Sequence, residues 1–334
     1  MKHKQWIRSL ICLLLSVMLL SGCSSSKALD CAEQMDKVLS EQAGVKSGTL
    51  LEAQEWMCAG NSASDWMAMG LALGGVKEAY DAYLNALKAY VEKCYADKGC
   101  LDAVKATEYH RIALTVLALG GDPTHFGKDG KGEDINLIAD GTCNFAGDLG
   151  KQGLNGWIWA LITLDASDYE VPKNARYSRE TICANILAAQ EDNGGFGLTA
   201  GSADVDMTAM ALQALAPYRG NCNRQIQSAL TYLTEEMTDR CSFVSYGTEN
   251  VESIAQVVIA LCALQIDPTE NSRFCRDGQT LITELERFCL NDGTYTHTLE
   301  DPQSDMMASE QALLAQIAFY RLQQGNGRLY DFTA

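Results

Sequence analysis

Six segments of the chain are apolar nearly all round and rich in small side chains: residues 65–73, 112–119, 157–164, 208–215, 257–264 and 312–319. They recur at steps of about 45 to 55 residues. Each follows a short polar lead-in. A helix without a polar face must be covered on every side, and closely spaced Ala and Gly let neighbouring helices approach. Between these segments, residues 76–92, 178–190, 224–236 and 279–288 carry charges on one face and read as outer helices. Pro123, Pro217 and Pro268 follow apolar runs and stop them, because proline cannot continue a helix. No segment alternates long enough to read as a strand.

Each repeat is thus an outer helix followed by a buried inner one, and a single pair cannot hide its inner helix. Stacked pairs can, but an open stack leaves two apolar ends. Six pairs without a polar cap are satisfied by closing the ring. The expected fold is all-α, an (α/α)6 toroid of six helical hairpins over residues 31–334. An open solenoid is the alternative, and the variable step argues against its tighter period.

Residues 1–22 lie outside this pattern. Lys2, Lys4 and Arg8 precede an apolar run at 11–20. A run of about ten residues is half of what a membrane-spanning helix needs. It ends in Leu20-Ser21-Gly22-Cys23, which resembles a bacterial lipobox, with Cys23 as the acylated new N-terminus. Residues 1–22 are therefore expected to be a lipoprotein signal peptide, and residues 23–30, beginning Cys23-Ser24-Ser25-Ser26, a flexible tether. The lipid on Cys23 would hold the protein at the membrane, facing away from the cytoplasm.

The formal net charge is −17, and three positive charges leave with the signal. So acidic a chain argues against nucleic acid, polyphosphates and adsorption to anionic lipid. Of 13 cysteines, 11 would remain beyond Cys12 and Cys23. In an exported chain some are expected to pair, Cys94 with Cys100 being a local candidate, and the odd count leaves one free. Cys262, inside an apolar run, is the expected free buried thiol. No CxxC occurs, and no metal site is expected.

The segment Gln190-Glu191-Asp192-Asn193-Gly194-Gly195-Phe196-Gly197 resembles the Q-x-x-x-G-x-W/F repeat of squalene cyclases. Asp204-Val205-Asp206-Met207-Thr208-Ala209 resembles their Asp-x-Asp-Asp-Thr-Ala motif, and Asn291-Asp292-Gly293-Thr294-Tyr295 echoes the repeat before the last inner helix. The chain thus resembles the prenyltransferase and squalene oxidase repeat superfamily over residues 50–332. The resemblance implies the toroid, and implies activity only weakly, since one fold hosts unrelated functions. Gln190 would tie an outer-helix end to the glycine turn.

Catalytic features of the superfamily are incomplete in this sequence. Met207 stands where the third acid of the cyclase motif belongs. His110, His125 and His297 lack acids or cysteines at zinc-ligand spacing, and no Cys-Gly-Glu-Gln thioester string occurs. The expected role is therefore a non-catalytic binding module without a cofactor, taking a small molecule, a glycan or a protein. The alternative is a glycan-active or degenerate cyclase-like enzyme, with Asp204 or Asp206 set against Glu252 or Asp305. Candidate ligand-binding residues at the toroid mouth are Asp204, Asp206, Trp157, Tyr246, Glu252, Tyr295 and His297. Trp66 and Trp159 sit in apolar runs and read as core.

Overall fold

The structure is a computed structural model, and it describes residues 27–245, 247–300 and 302–333. The signal sequence, Cys23 and Tyr246 lie outside the described residues. Residues 27–42 form helix α1. The second half of the expected tether is therefore helical, because Ala28, Ala32 and Met35 recur at helical spacing and are buried.

Eleven further helices follow: α2 (Ser62–Leu73), α3 (Tyr80–Lys98), α4 (Ala106–Ala118), α5 (Leu137–Gly141), α6 (Leu154–Ala166), α7 (Arg179–Ala188), α8 (Val205–Leu215), α9 (Arg219–Glu236), α10 (Val251–Ala263), α11 (Leu281–Arg287) and α12 (Met306–Gln324). The even-numbered helices carry the six apolar runs. Each packs on the next, from α2 to α4, α6, α8, α10 and α12, and α12 packs back on α2, so the ring is closed. At that closure Gly70 of α2 meets α12. A Cβ at Gly70 would lie 2.9 Å from Leu313 Cδ2, so the missing side chain permits the approach.

The odd-numbered helices form the outer layer, with α5, α7, α9 and α11 packed on α4, α6, α8 and α10. The fold is an all-α toroid of two concentric helical layers, as the periodicity predicts. Four of the six inner helices start on side-chain caps: Asn61 accepts from Ala63 N, Asp204 from Met207 N, Asn250 from Ser253 N and Asp305 from Ala308 N. No helix among the described residues is long and apolar enough to cross a membrane.

Three two-residue ladders interrupt the helical pattern: β1 (Phe196–Gly197) with β2 (Ala203–Asp204), β3 (Val244–Ser245) with β4 (Thr248–Glu249), and β5 (Cys275–Arg276) with β6 (Gln279–Thr280). The sequence gives no strand signal there, because two residues cannot show alternation. Each ladder leads directly into a helix: α8, α10 or α11. Before the first of them, Gln190 Nε2 donates to the carbonyls of Gly194 and Gln225, joining α7, the glycine turn and α9. Gly194 has φ +88°, and a Cβ there would stand 2.6 Å from the Ser228 carbonyl. The turn thus requires glycine sterically as well as conformationally.

All eleven cysteines among the described residues are free thiols, against the expectation of disulfides. Cys94 faces the core, and the left-handed Gly99 turns the chain between it and Cys100. Cys262 is buried in α10, as expected.

After α12 the chain turns at Gly325, and its tail crosses the C-terminal end of the inner ring. Phe332 N donates to the Ala166 carbonyl at the end of α6. Arg321 holds the tail by donating to the carbonyls of Leu329 and Asp331. Leu329 and Tyr330 are buried by this crossing.

Candidate functional site

The inner ring encloses a cavity of about 250 Å3, bordered by side chains of all six inner helices. Ser62 and Trp66 come from α2, Thr107, Glu108 and Arg111 from α4, and Asn155 and Trp159 from α6. Met210 of α8, Gln256 of α10, and Glu310, Gln311 and Leu314 of α12 complete the wall. The pairs 62/66, 107/111, 155/159 and 310/314 are each four residues apart, so each pair shares the helix face turned to the axis.

The floor is aromatic. Tyr330 from the tail meets Trp66 and Trp159 with ring centroids 6.3 and 5.6 Å apart, and the two tryptophans are 5.3 Å apart. Tyr330 also borders a smaller void beyond it, lined by Ile162, Ala214 and Ile259, so its ring divides the axis in two. The tail therefore closes one end of the ring.

The wall is polar and its charges do not balance. Asp65 accepts from Arg111 Nε at 2.9 Å, from the Tyr83 hydroxyl at 2.8 Å and from Gly60 N at 3.0 Å. Arg111 also meets Glu108 at 2.8 Å and donates to the Gly60 carbonyl at 2.9 Å. A guanidinium keeps its proton in such a site, so Asp65 and Arg111 are an ion pair. The Arg111 charge is already committed to two carboxylates.

Gln213 Nε2 donates to Gln256 Oε1 at 2.9 Å, and Gln256 Nε2 to Gln311 Oε1 at 3.0 Å, an amide chain from α8 to α12. Two acceptors at the cavity remain without a hydrogen-bond partner, Glu310 Oε2 and Asn155 Oδ1. Glu310 is only 4% exposed. Burial pushes its carboxyl well above the ordinary carboxylate range, and the carboxylates of Asp305, Asp65 and Glu252 push the same way against Arg111.

The residues singled out from the sequence stand elsewhere. Asp204 is the α8 cap, its Oδ1 2.8 Å from Met207 N. Asp206, in the first turn of α8, accepts from Ser245 Oγ at 3.3 Å, and burial raises its carboxyl above the ordinary range. Glu252 opens α10 and pairs with His297 Nδ1 at 2.8 Å. Tyr295 is buried, and its backbone N donates to Ser309 Oγ at 2.9 Å. Trp157 meets Tyr177 edge-on at 5.4 Å, away from the axis. Two residues from both Asn155 and Trp159, it cannot share their face. None of these six side chains borders the axial cavity. Asp206, Glu252 and His297 lie nearer the helix starts, above it.

Sequence reasoning missed Glu108, Arg111, Asn155, Gln256, Glu310 and Gln311. The signal was present: each lies one to four residues before an apolar run, or within its first turn. Trp66 and Trp159 are both core and floor, since they pack on each other and border the cavity.

No protein-family model matches the sequence. No curated protein matches it either. Among solved structures the chain is similar to Candida albicans protein geranylgeranyltransferase-I complexed with GGPP, at 14% identity and a TM-score of 0.56. The match covers 85% of this chain and 90% of that one. The likeness is one of fold: this chain has the α/α-toroid fold of a protein prenyltransferase.

Proposed function

We propose that the chain is an exported lipoprotein, held at the membrane by lipid on Cys23, whose toroid is a non-catalytic binding module. The observation that carries the binding role is the axial cavity, where three aromatic rings form a floor and two buried acceptors lack partners. Native proteins satisfy nearly all buried polar groups, so acceptors left open at a cavity are suited to a ligand's donors. The anchor rests on the sequence before Ser24.

A prenyl diphosphate suits this cavity poorly. Its negative charge would meet the carboxylates of Glu108 and Asp65, and the single guanidinium of the wall is already paired. Asp204 serves as a helix cap, which leaves the cyclase-like motif a structural role. One observation favours a second reading, a glycan-active enzyme. Glu310, its carboxyl pushed well above the ordinary range by burial, lines the same cavity as Glu108 over an aromatic platform, two acids of the kind that glycoside hydrolysis employs.

Two experiments test these readings. Cys23→Ser should move the protein from the membrane to the soluble fraction, and unchanged membrane retention contradicts the anchor. Purified protein should bind a solute with a change in tryptophan fluorescence that Trp159→Phe diminishes, and should turn over neither prenyl diphosphates nor chromogenic glycosides. Product above a heat-killed control contradicts the non-catalytic reading.

A further inference from the structure

The charge and hydrogen-bond inventory of the axial cavity goes further than a generic ligand. This step rests on reading the funnel as a ligand site. Asp65 and Arg111 cancel, and Glu108 shares the same guanidinium. Glu310 is left over, nine-tenths buried, bordering the cavity, with Oε2 unpartnered. Asn155 Oδ1 across the ring is a second open acceptor. Both are open to a ligand's donors. An anion brings no donors and meets excess negative charge. A neutral hydroxyl supplies donors but leaves the second carboxylate shared by Arg111 uncompensated. A cation with N–H groups supplies both, and the indole and phenol rings of the floor favour it through their quadrupoles.

We propose that the axial cavity binds an alkylammonium ion, whose N–H groups donate to Glu310 Oε2 and Asn155 Oδ1 above the floor of Trp66, Trp159 and Tyr330. The volume, about 250 Å3, is at the small end for ligand pockets and fits a short amine or one end of a longer polyamine. The net acidity of the chain draws such ions to it.

Proton linkage follows. Without a bound cation, burial holds the Glu310 carboxyl well above the ordinary carboxylate range. The groups facing it are Arg111 and Glu108 of α4, Asp65 of α2, Glu252 of α10, Asp305 at the start of its own helix, and Tyr330. Of these only Arg111 favours the carboxylate. An ammonium ion stabilises the ionised form, so Glu310 gives its proton to solvent on binding, and affinity rises with pH until Glu310 ionises unaided.

The test titrates the full chain with putrescine, tetramethylammonium and 1,4-butanediol, following tryptophan fluorescence and calorimetry in two buffers of different protonation enthalpy. Putrescine should bind with proton release, more tightly at higher pH. Glu310→Gln and Asn155→Ala should each weaken it, Glu310→Gln by about tenfold or more with proton release abolished. Tetramethylammonium, lacking N–H, should bind more weakly, and butanediol least. Thermal melting checks that both variants fold. Butanediol or tetramethylammonium binding as tightly as putrescine, or undiminished binding to folded Glu310→Gln, overturns the inference and leaves the ligand site standing. Failure of these three and of neutral sugars and organic anions overturns both.

Discussion

Glu310 should make the empty protein less stable than it would be without it. Its carboxyl is buried on α12 and Oε2 has no partner. A buried unsatisfied acceptor costs about 1–3 kcal/mol. Replacing Glu310 by Met, of similar volume, should therefore stabilise the empty protein by up to about 1–3 kcal/mol, a rise of a few degrees in Tm for a domain of this size. The sign with pH is fixed. The folded state holds the Glu310 proton to higher pH than the unfolded chain does, so between the two the native protein binds more protons. Its stability falls as pH rises through that window, from the ordinary glutamate value upward. The variant lacks this slope, so the gap between variant and parent should be small near pH 4 and widen toward neutrality. Urea denaturation of both proteins across that range measures it. A Glu310→Met protein that is less stable than its parent at every pH refutes the reasoning, for Glu310 would then have a favourable partner.

Two further perturbations probe the walls and floor. Asp65→Ala removes the fully buried partner of Arg111 and leaves it only the more exposed Glu108 and the Gly60 carbonyl, and should cost about 1–3 kcal/mol, read from urea melts; an unchanged stability would mean that these two alone satisfy the guanidinium. Tyr330→Ala removes a ring that is 8% exposed and packs on two indoles, and should cost about 3–5 kcal/mol while changing the emission of Trp66 and Trp159; unchanged emission and stability contradict the closure of the axis by the tail.

The ring was legible in the chain because its cause is local. Helices such as α6 and α10 are apolar all round, and that composition leaves only burial inside a second layer. The Gln190 staple was legible too, since a turn at Gly194 needs positive φ next to a fixed donor. The cavity was not. Asp204, Asp206 and Glu252 stand out in sequence as acids at helix starts, but a helix start uses an acid as a cap, as Asp204 does. The axis is reached about a turn deeper, at positions such as Gln256 and Glu310, whose direction depends on helix rotation about the ring. Tyr330 was invisible for another reason: only the return of the tail across the inner helices brings it beside Trp66.

Everything at the axis depends on α12 meeting α2. Spin labels on unnatural residues at Ser62 and Met307, both exposed in the first turns of those helices, allow pulsed electron-resonance distances between the two ends of the array. A closed ring places adjacent helices about 8–10 Å apart at their axes, so label separation should lie at or below roughly 30 Å once the label arms are added. A single distribution there is the predicted result. An open array of six inner helices at the same spacing separates its ends by about 50 Å, and a distribution centred at that length would contradict the toroid and the cavity with it.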